Sequence, residues 1–397
     1  MSTSERVDVS AILAVDNHAH ALMRRQPQDI VSYRAHFTEA HDPSLAREHV
    51  GSSVQYRWAI RQLAGFLDVE LDESAVLARR TELGLEELAG RLAAASGLDW
   101  LLLDEGFPPA DLAYSSEEMA ALLGVRIGRI LRIETLVQDL IVAHDAWTAI
   151  AERFDRTLDE AWRTGYVALK SIAAYRTGLA IERVDEADAE QAWREVQTKL
   201  REPFRLASKP LIDYFIWRGV YFAAHHALPM QFHTGYGDPD LDLRLANPLH
   251  LRSLFEDAEA AAAPIVLLHE SYPYTAEAAY LAAVYPNVYL DLAFSLPPIG
   301  KQELTRCVRI ALGTAPATKL LYSSDGVGIP EHYWLAAERG RACLSDVLTE
   351  SVAGGELDPA EAHAFARLIL HDNAMRVYDL SGERVHAGIG TSSMAQQ

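Results

Sequence analysis

The chain has 397 residues, 49% of them apolar, and a formal charge of −20 at neutral pH. That length suits one large α/β domain with an insertion, and the apolar share is ample for a packed core. The acidic balance argues against nucleic acid and against anionic membrane surfaces as partners, because nothing basic is available to neutralise phosphates. Cys307 and Cys343, the two cysteines, suggest neither a disulfide framework nor a thiolate metal site. Residues 1–9 are polar, and no apolar run reaches about 18 residues, so a soluble cytoplasmic protein is expected.

Eight runs of strand length follow one another with helical segments between them. They are Ile12–His20, Asp99–Phe107, Gly128–Leu136, Gly165–Tyr175, Pro229–Thr234, Pro264–Glu270, Asn287–Phe294 and Lys319–Asp325. Several are almost continuously apolar, as strands buried on both faces should be. Ala187–Leu200, Leu249–Ala262, Ala276–Tyr285 and Leu357–Tyr378 carry apolar residues at helical spacing. Eight strands alternating with helices predict an α/β fold, a (β/α)8 TIM barrel. A doubly wound sheet is the alternative, but it would more often carry a Gly-rich loop after its first strand.

Residues of about 21–98 make the first connection too long for a structureless loop. Val76–Ala95 is amphipathic there, so a helical insertion is expected, as a lid over the C-terminal mouth or as an oligomer interface. Residues 1–385 are read as a single barrel domain and 386–397 as a flexible tail.

Chemistry concentrates at the ends of the strands. His18 and His20 are two apart on the first run and so point to one side. His233 ends the fifth run, His269 the sixth and Asp325 the eighth. A closed barrel gathers these side chains at its C-terminal mouth, because the eighth strand neighbours the first. Any one of them alone reads as a packed core residue; the joint pattern reads as a metal centre. Nitrogen and carboxylate donors suit Zn²⁺ best, with Mn²⁺ or Fe²⁺ as alternatives. Asp325 is of the right type to take a proton from an attacking water, and His269 to be a ligand or to polarise a carbonyl.

This order and its local wording resemble the amidohydrolase superfamily of metal-dependent hydrolases. The resemblance is carried by VDNHAH (15–20), LKSIAAYRTGL (169–179), QFHTGYGDPDLDL (231–243), NPLHLR (247–252), the 267–294 block, KLLYSSDG (319–326) and LHDNAMRVY (370–378). More narrowly, the chain is similar to the amidohydrolase domain joined to glutamine-synthetase-like domains in some fungal and plant proteins. By resemblance, His18, His20, His233 and Asp325 fall on metal-ligand positions. His269 falls on a second-metal or catalytic position. Lys170 raises the alternative of a second, bridged ion, while one ion is the expectation. The family also implies a homo-oligomer.

Arg176 and Arg244 are the candidates for gripping a substrate carboxylate, since a guanidinium fork binds carboxylates through two hydrogen bonds. For Arg244 a salt bridge to a nearby acid such as Asp242 is the plain alternative. His250 and Tyr272 are further candidates for the pocket wall, and Glu134 for a partner that orients a ligand histidine. The reaction expected is hydrolysis of a non-peptide C–N bond in a small carboxylated substrate, such as a γ-glutamyl amide, with Asp325 as general base and acid. A metal-dependent decarboxylase or a lactonase is the competing expectation.

Overall fold

The computed structural model describes residues 6–143, 146–201, 204–294 and 299–382. Eight parallel strands lie in sequence order: β1 (Ala14–Ala19), β2 (Leu98–Asp104), β3 (Arg126–Arg132), β4 (Tyr166–Ser171), β5 (Met230–Phe232), β6 (Ile265–Leu267), β7 (Val288–Ala293) and β8 (Leu320–Ser323). Hydrogen bonds just past the strand ends bring β8 back to β1. Asp325 N donates to His18 O (3.0 Å), His20 N to Gly326 O (2.8 Å) and Ser324 N to Asp16 Oδ1 (2.9 Å). The result is a (β/α)8 barrel with helices around it.

Side-chain alternation sorts the strands into two layers. Val15, Trp100, Ile130, Ala168, Val266 and Leu321 form one buried apolar cluster, which Tyr378 from the C-terminal turn joins. A cluster drawn from so many strands can form only inside the cylinder. Met230, Phe232, Ile265, Leu267, Leu290 and Leu320 face outward and pack under the surrounding helices. The helix Trp147–Arg163 shows why it settles there: Trp147, Ile150, Phe154 and Leu158 recur at three- and four-residue steps and are all buried.

β1 carries the first ligand candidates and is irregular. Its pairing with β2 advances three residues (Asp16 to Ala19) against two (Leu101 to Leu103). Such a bulge re-aims the side chains that follow it.

Two expectations need correcting. Leu249–Ala262 is not one helix: it divides into Pro248–Leu251, Arg252–Phe255 and Ala260–Ala262. The Asp257 carboxylate accepts from Glu259 N (3.1 Å) and Ala260 N (2.8 Å), offering the backbone a turn in place of helix. The third strand ends at Arg132, and the helix Ile133–Ala143 begins at once, so Glu134 sits on a first helical turn rather than at a strand end.

The first connection is helical, as Ile30–Arg34, Val54–Leu67 and Glu73–Ser96, the last interrupted at Gly84, whose φ of 75° lies in the left-handed region. Tyr33, Phe37, Tyr56, Ile60 and Leu63 form a core of its own, continued by Ile329, Trp334 and Leu335 of the barrel. The seam holds a buried ion pair, Arg80 Nε to Glu331 Oε1 at 2.6 Å. Cys307 and Cys343 are buried free thiols, and no helix among the described residues is long and apolar enough to cross a membrane. The expected tail at 386–397 lies outside the described residues.

Candidate metal centre

His18, His20 and His269 converge on Asp325 at the C-terminal mouth of the barrel. His18 Nε2 and His20 Nε2 each lie 3.5 Å from Asp325 Oδ1, and His269 Nδ1 lies 3.3 Å from Asp325 Oδ2. Among the described residues, two overlapping donor sets come close enough to share an ion, His18/His269/Asp325 and His18/His20/Asp104. His233 belongs to neither; it stands beside them, its ring centroid 4.4 Å from that of His269.

The hydrogen bonds fix which nitrogen each imidazole offers. His18 Nδ1 donates to Gln231 Oε1 (2.9 Å), and the Gln231 amide is itself oriented by donating to Asn17 O (2.7 Å) and Tyr378 Oη (2.8 Å). The His18 lone pair is therefore on Nε2, facing Asp325. His20 Nδ1 points at Phe107 O (3.3 Å), leaving Nε2 for the centre, and His233 Nε2 points at Tyr236 O (2.9 Å), leaving Nδ1. His269 Nδ1 is buried with no hydrogen bond of its own. A cation would satisfy that nitrogen, so the donor set fits a divalent ion of the zinc type.

Burial keeps His18, His233 and His269 neutral, as ligands must be. Desolvation first, then the Lys170 charge, holds His18 and His233 well below the usual histidine range. For His269 burial acts first, followed by His233 and Lys170. Lys170, on β4, puts its ammonium 3.2 Å from His18 Nε2, and burial lowers it to about 8. Asp104 is held down at about 2: burial pushes its carboxyl up, but the charges of Arg132, His20 and Lys170 outweigh it. Arg132 Nη2 meets Asp104 Oδ2 at 2.5 Å.

Backbone geometry at the mouth is unusual. Asp325 has φ of 51°, and His269, Glu270 and Ser271 have 63°, 53° and 50°. Non-glycine residues rarely adopt this region, and doing so costs on the order of 1–3 kcal/mol each. Asp291, buried on β7, anchors the strained loop by accepting His269 N (3.0 Å) and Asn17 Nδ2 (2.8 Å). Gly235 serves the neighbouring loop: at φ 72°, a Cβ there would stand 2.4 Å from the Ser271 and Tyr272 backbone.

A cavity of about 560 Å³ opens above the centre, lined by His20, His233, His269 and Asp325 and roofed by His36 and Glu39 of the insertion. Arg176 lines its wall; its guanidinium makes no hydrogen bond among the described residues, and Nε is buried without a partner. Glu39 is pushed up to about 7 by burial and by the charges of Asp325 and Asp238.

Four expected contacts are elsewhere. Arg244 is outside the cavity, 87% exposed and paired with Asp242 at 2.7 Å, because a short turn sets the two side chains side by side. His250 is exposed, its Nε2 3.1 Å from Arg244 O. Tyr272 packs its side chain against the outer core and meets the mouth through its backbone, which accepts Tyr236 N at 2.7 Å and donates to His269 O at 3.0 Å. Glu134 orients no histidine; it accepts Ser171 Oγ (2.6 Å) and Ile172 N (3.0 Å), holding the end of β4 beside Lys170. The sequence reading missed Gln231, Asp104, Arg132 and Glu39. Gln231 was within reach, since alternation puts it on the face of His233.

Fold and centre together define a (β/α)8 barrel whose mouth gathers a donor set suited to a divalent metal. The amidohydrolase family model matches residues 180–380, and the chain belongs to that family. Protein fluG of Emericella nidulans is 30% identical over 95% of this chain, which spans 47% of that protein's length. A protein from Lactobacillus casei ATCC 334, provisionally described as a metal-dependent hydrolase, is 31% identical and superposes with a TM-score of 0.85, over 94% of this chain and 96% of that one. A uronate isomerase from Bacillus halodurans, 14% identical with a TM-score of 0.63 over 94% of both chains, shares the fold.

Proposed function

We propose that this barrel hydrolyses a C–N bond, other than a peptide's, in a small carboxylated substrate, a γ-glutamyl amide being the leading case. The observation that carries the reading is the convergence of His18, His20 and His269 on Asp325 beneath a cavity whose wall presents the unpaired Arg176. His18, His20 and Asp325, with His233 by the family resemblance, would hold one zinc ion, and His269 Nδ1 would stand within reach of the same ion. When bound, that ion supplies Lewis acidity, lowering the pKa of water and polarising the scissile carbonyl.

The remaining work falls to the chain's own groups. Arg176 grips the substrate carboxylate through its fork and fixes the amide over the centre. Asp325, 21% exposed to the cavity, takes the proton of the attacking water and returns it to the departing amine. His269 faces the carbonyl oxygen as charge develops on it. Gln231 keeps His18 in the tautomer that leaves Nε2 free.

The test is product analysis with metal-loaded protein. Amine release from a panel of γ-glutamyl amides is expected, with no CO₂ from aromatic or unsaturated acids. CO₂ without amine would make the barrel a decarboxylase, and turnover of lactones alone would make it a lactonase.

A further inference from the structure

The charged groups lining the cavity are, with two exceptions, answered inside the protein. Arg132 is paired with Asp104 and Arg205 with Asp240, and Lys170 hydrogen-bonds His18 Nε2 within the field of Asp104, Asp325 and Asp291. Asp325 sits among histidines, and Asp238 is 3.5 Å from His41. The exceptions are Arg176 and Glu39: among the described residues neither side chain makes a hydrogen bond or an ion pair, and both face the same cavity. An uncompensated charge withdrawn from water is costly, and a cavity that holds one of each sign is matched to a ligand of the opposite polarity at each end.

The two stand at different places in the cavity. Glu39 follows the Ala35–Phe37 turn of the insertion and lies in the field of Asp325 and Asp238. Arg176 follows the Ala173–Tyr175 turn beyond β4 and lies in the field of Arg205, Glu134 and Arg132. Crowded by like charges, Glu39 gains most from a cation, and Arg176, among guanidinia, from an anion. The metal does not account for Glu39, which belongs to neither donor set.

We infer that the substrate is a zwitterion, its carboxylate held by Arg176 and its protonated amine by Glu39. This rests on the hydrolase reading and extends it: the insertion supplies a specificity group that a carboxylate-only substrate would leave unpaired. An amino-acid amide has this chemistry, whereas a simple dicarboxylic monoamide lacks the amine.

The experiment is calorimetric titration of the full chain, freed of metal by chelation, at mildly alkaline pH. The probes are glutamine and asparagine, their deamino analogues, which lack the ammonium, and their decarboxy analogues, which lack the carboxylate. Wild type is expected to bind one of the amino-acid amides about tenfold or more tighter than either of its analogues. Glu39→Gln should erase the preference over the deamino analogue, and Arg176→Gln the preference over the decarboxy analogue, each with an unchanged melting temperature. Equal binding of the deamino analogue by wild type overturns the inference, as does a preference that survives Glu39→Gln or the absence of binding by all probes at about 10 mM. Lower metal affinity in Glu39→Gln, with ligand preference intact, also overturns it. Because no turnover is read, failure here leaves the hydrolase reading standing, and failure of the amine-release assay leaves the zwitterion site standing.

Discussion

The Gln231 carboxamide and the His18 imidazole form one unit: Oε1 of the first accepts Nδ1–H of the second at 2.9 Å, and two further bonds prevent the amide from turning over. The nitrogen that His18 presents to the centre is thus chosen from inside the barrel, by a side chain of β5 reaching across the cylinder to β1. Replacing Gln231 by Leu keeps the ligands but releases the ring. Metal affinity should fall about 10–100-fold, measured by competition with a chromogenic chelator, while His18→Ala abolishes stoichiometric binding. An unaltered affinity in Gln231→Leu would falsify the orienting role.

Asp325 is placed to move the proton, so Asp325→Asn should lower kcat by about 10²–10⁴-fold. Metal content is measured alongside, since the same side chain is a proposed ligand. A variant that is reconstituted with metal and retains wild-type kcat would remove Asp325 from the chemistry.

Arg176 has no internal partner among the described residues, so the proposed carboxylate grip predicts an effect on binding and none on folding. Arg176→Lys loses the two-pronged carboxylate grip and should raise KM about 10–100-fold. The urea midpoint should stay the same or rise. A stability loss without a KM change would make it a structural residue.

Arg80 and Glu331 dock the insertion, their side chains only 6% and 1% exposed. Arg80→Met leaves the buried Glu331 carboxylate without its cation, with only Tyr33 Oη among the described residues still donating to it at 3.4 Å, at a cost of about 3–5 kcal/mol. Arg80→Met with Glu331→Leu should recover most of that loss. Urea unfolding of the metal-free protein reads both, and a double variant as unstable as the single one would contradict the pairing.

His36 and His332 both line the cavity with rings 6.3 Å apart, and burial pushes them down to about 4 and about 3. Their ordinary value is near 6.5. Between these values the unfolded chain binds protons that the folded one refuses, so stability is full above about pH 6.5 and is lost as pH falls toward 4. Each imidazole contributes up to about 1.4 kcal/mol per pH unit in that window. Denaturation of the metal-free protein at pH 7 and pH 5 should show the slope, and substituting both histidines with Gln should flatten it. The buried His18, His233 and His269 leave a residual slope in the variant.

The sequence by itself determined the barrel and the order of its strands, because strands buried on both faces must be apolar along their length and cannot be mistaken for surface elements. It also indicated that His18, His20, His233, His269 and Asp325 would meet at the mouth, since polar groups that end such runs have mainly the mouth to occupy. Only the tertiary structure decided which polar neighbours matter. Arg244 and Arg176 look equivalent in the chain, yet a local turn hands the first to Asp242 at the surface while the second is left unpaired in the cavity. Glu39 carried no signal of any kind, because a loop residue some 290 positions from Asp325 acquires its meaning from the way the insertion folds back over the mouth. Local pattern reports burial and periodicity; which charges meet is a long-range outcome of packing, and no short window of sequence contains it.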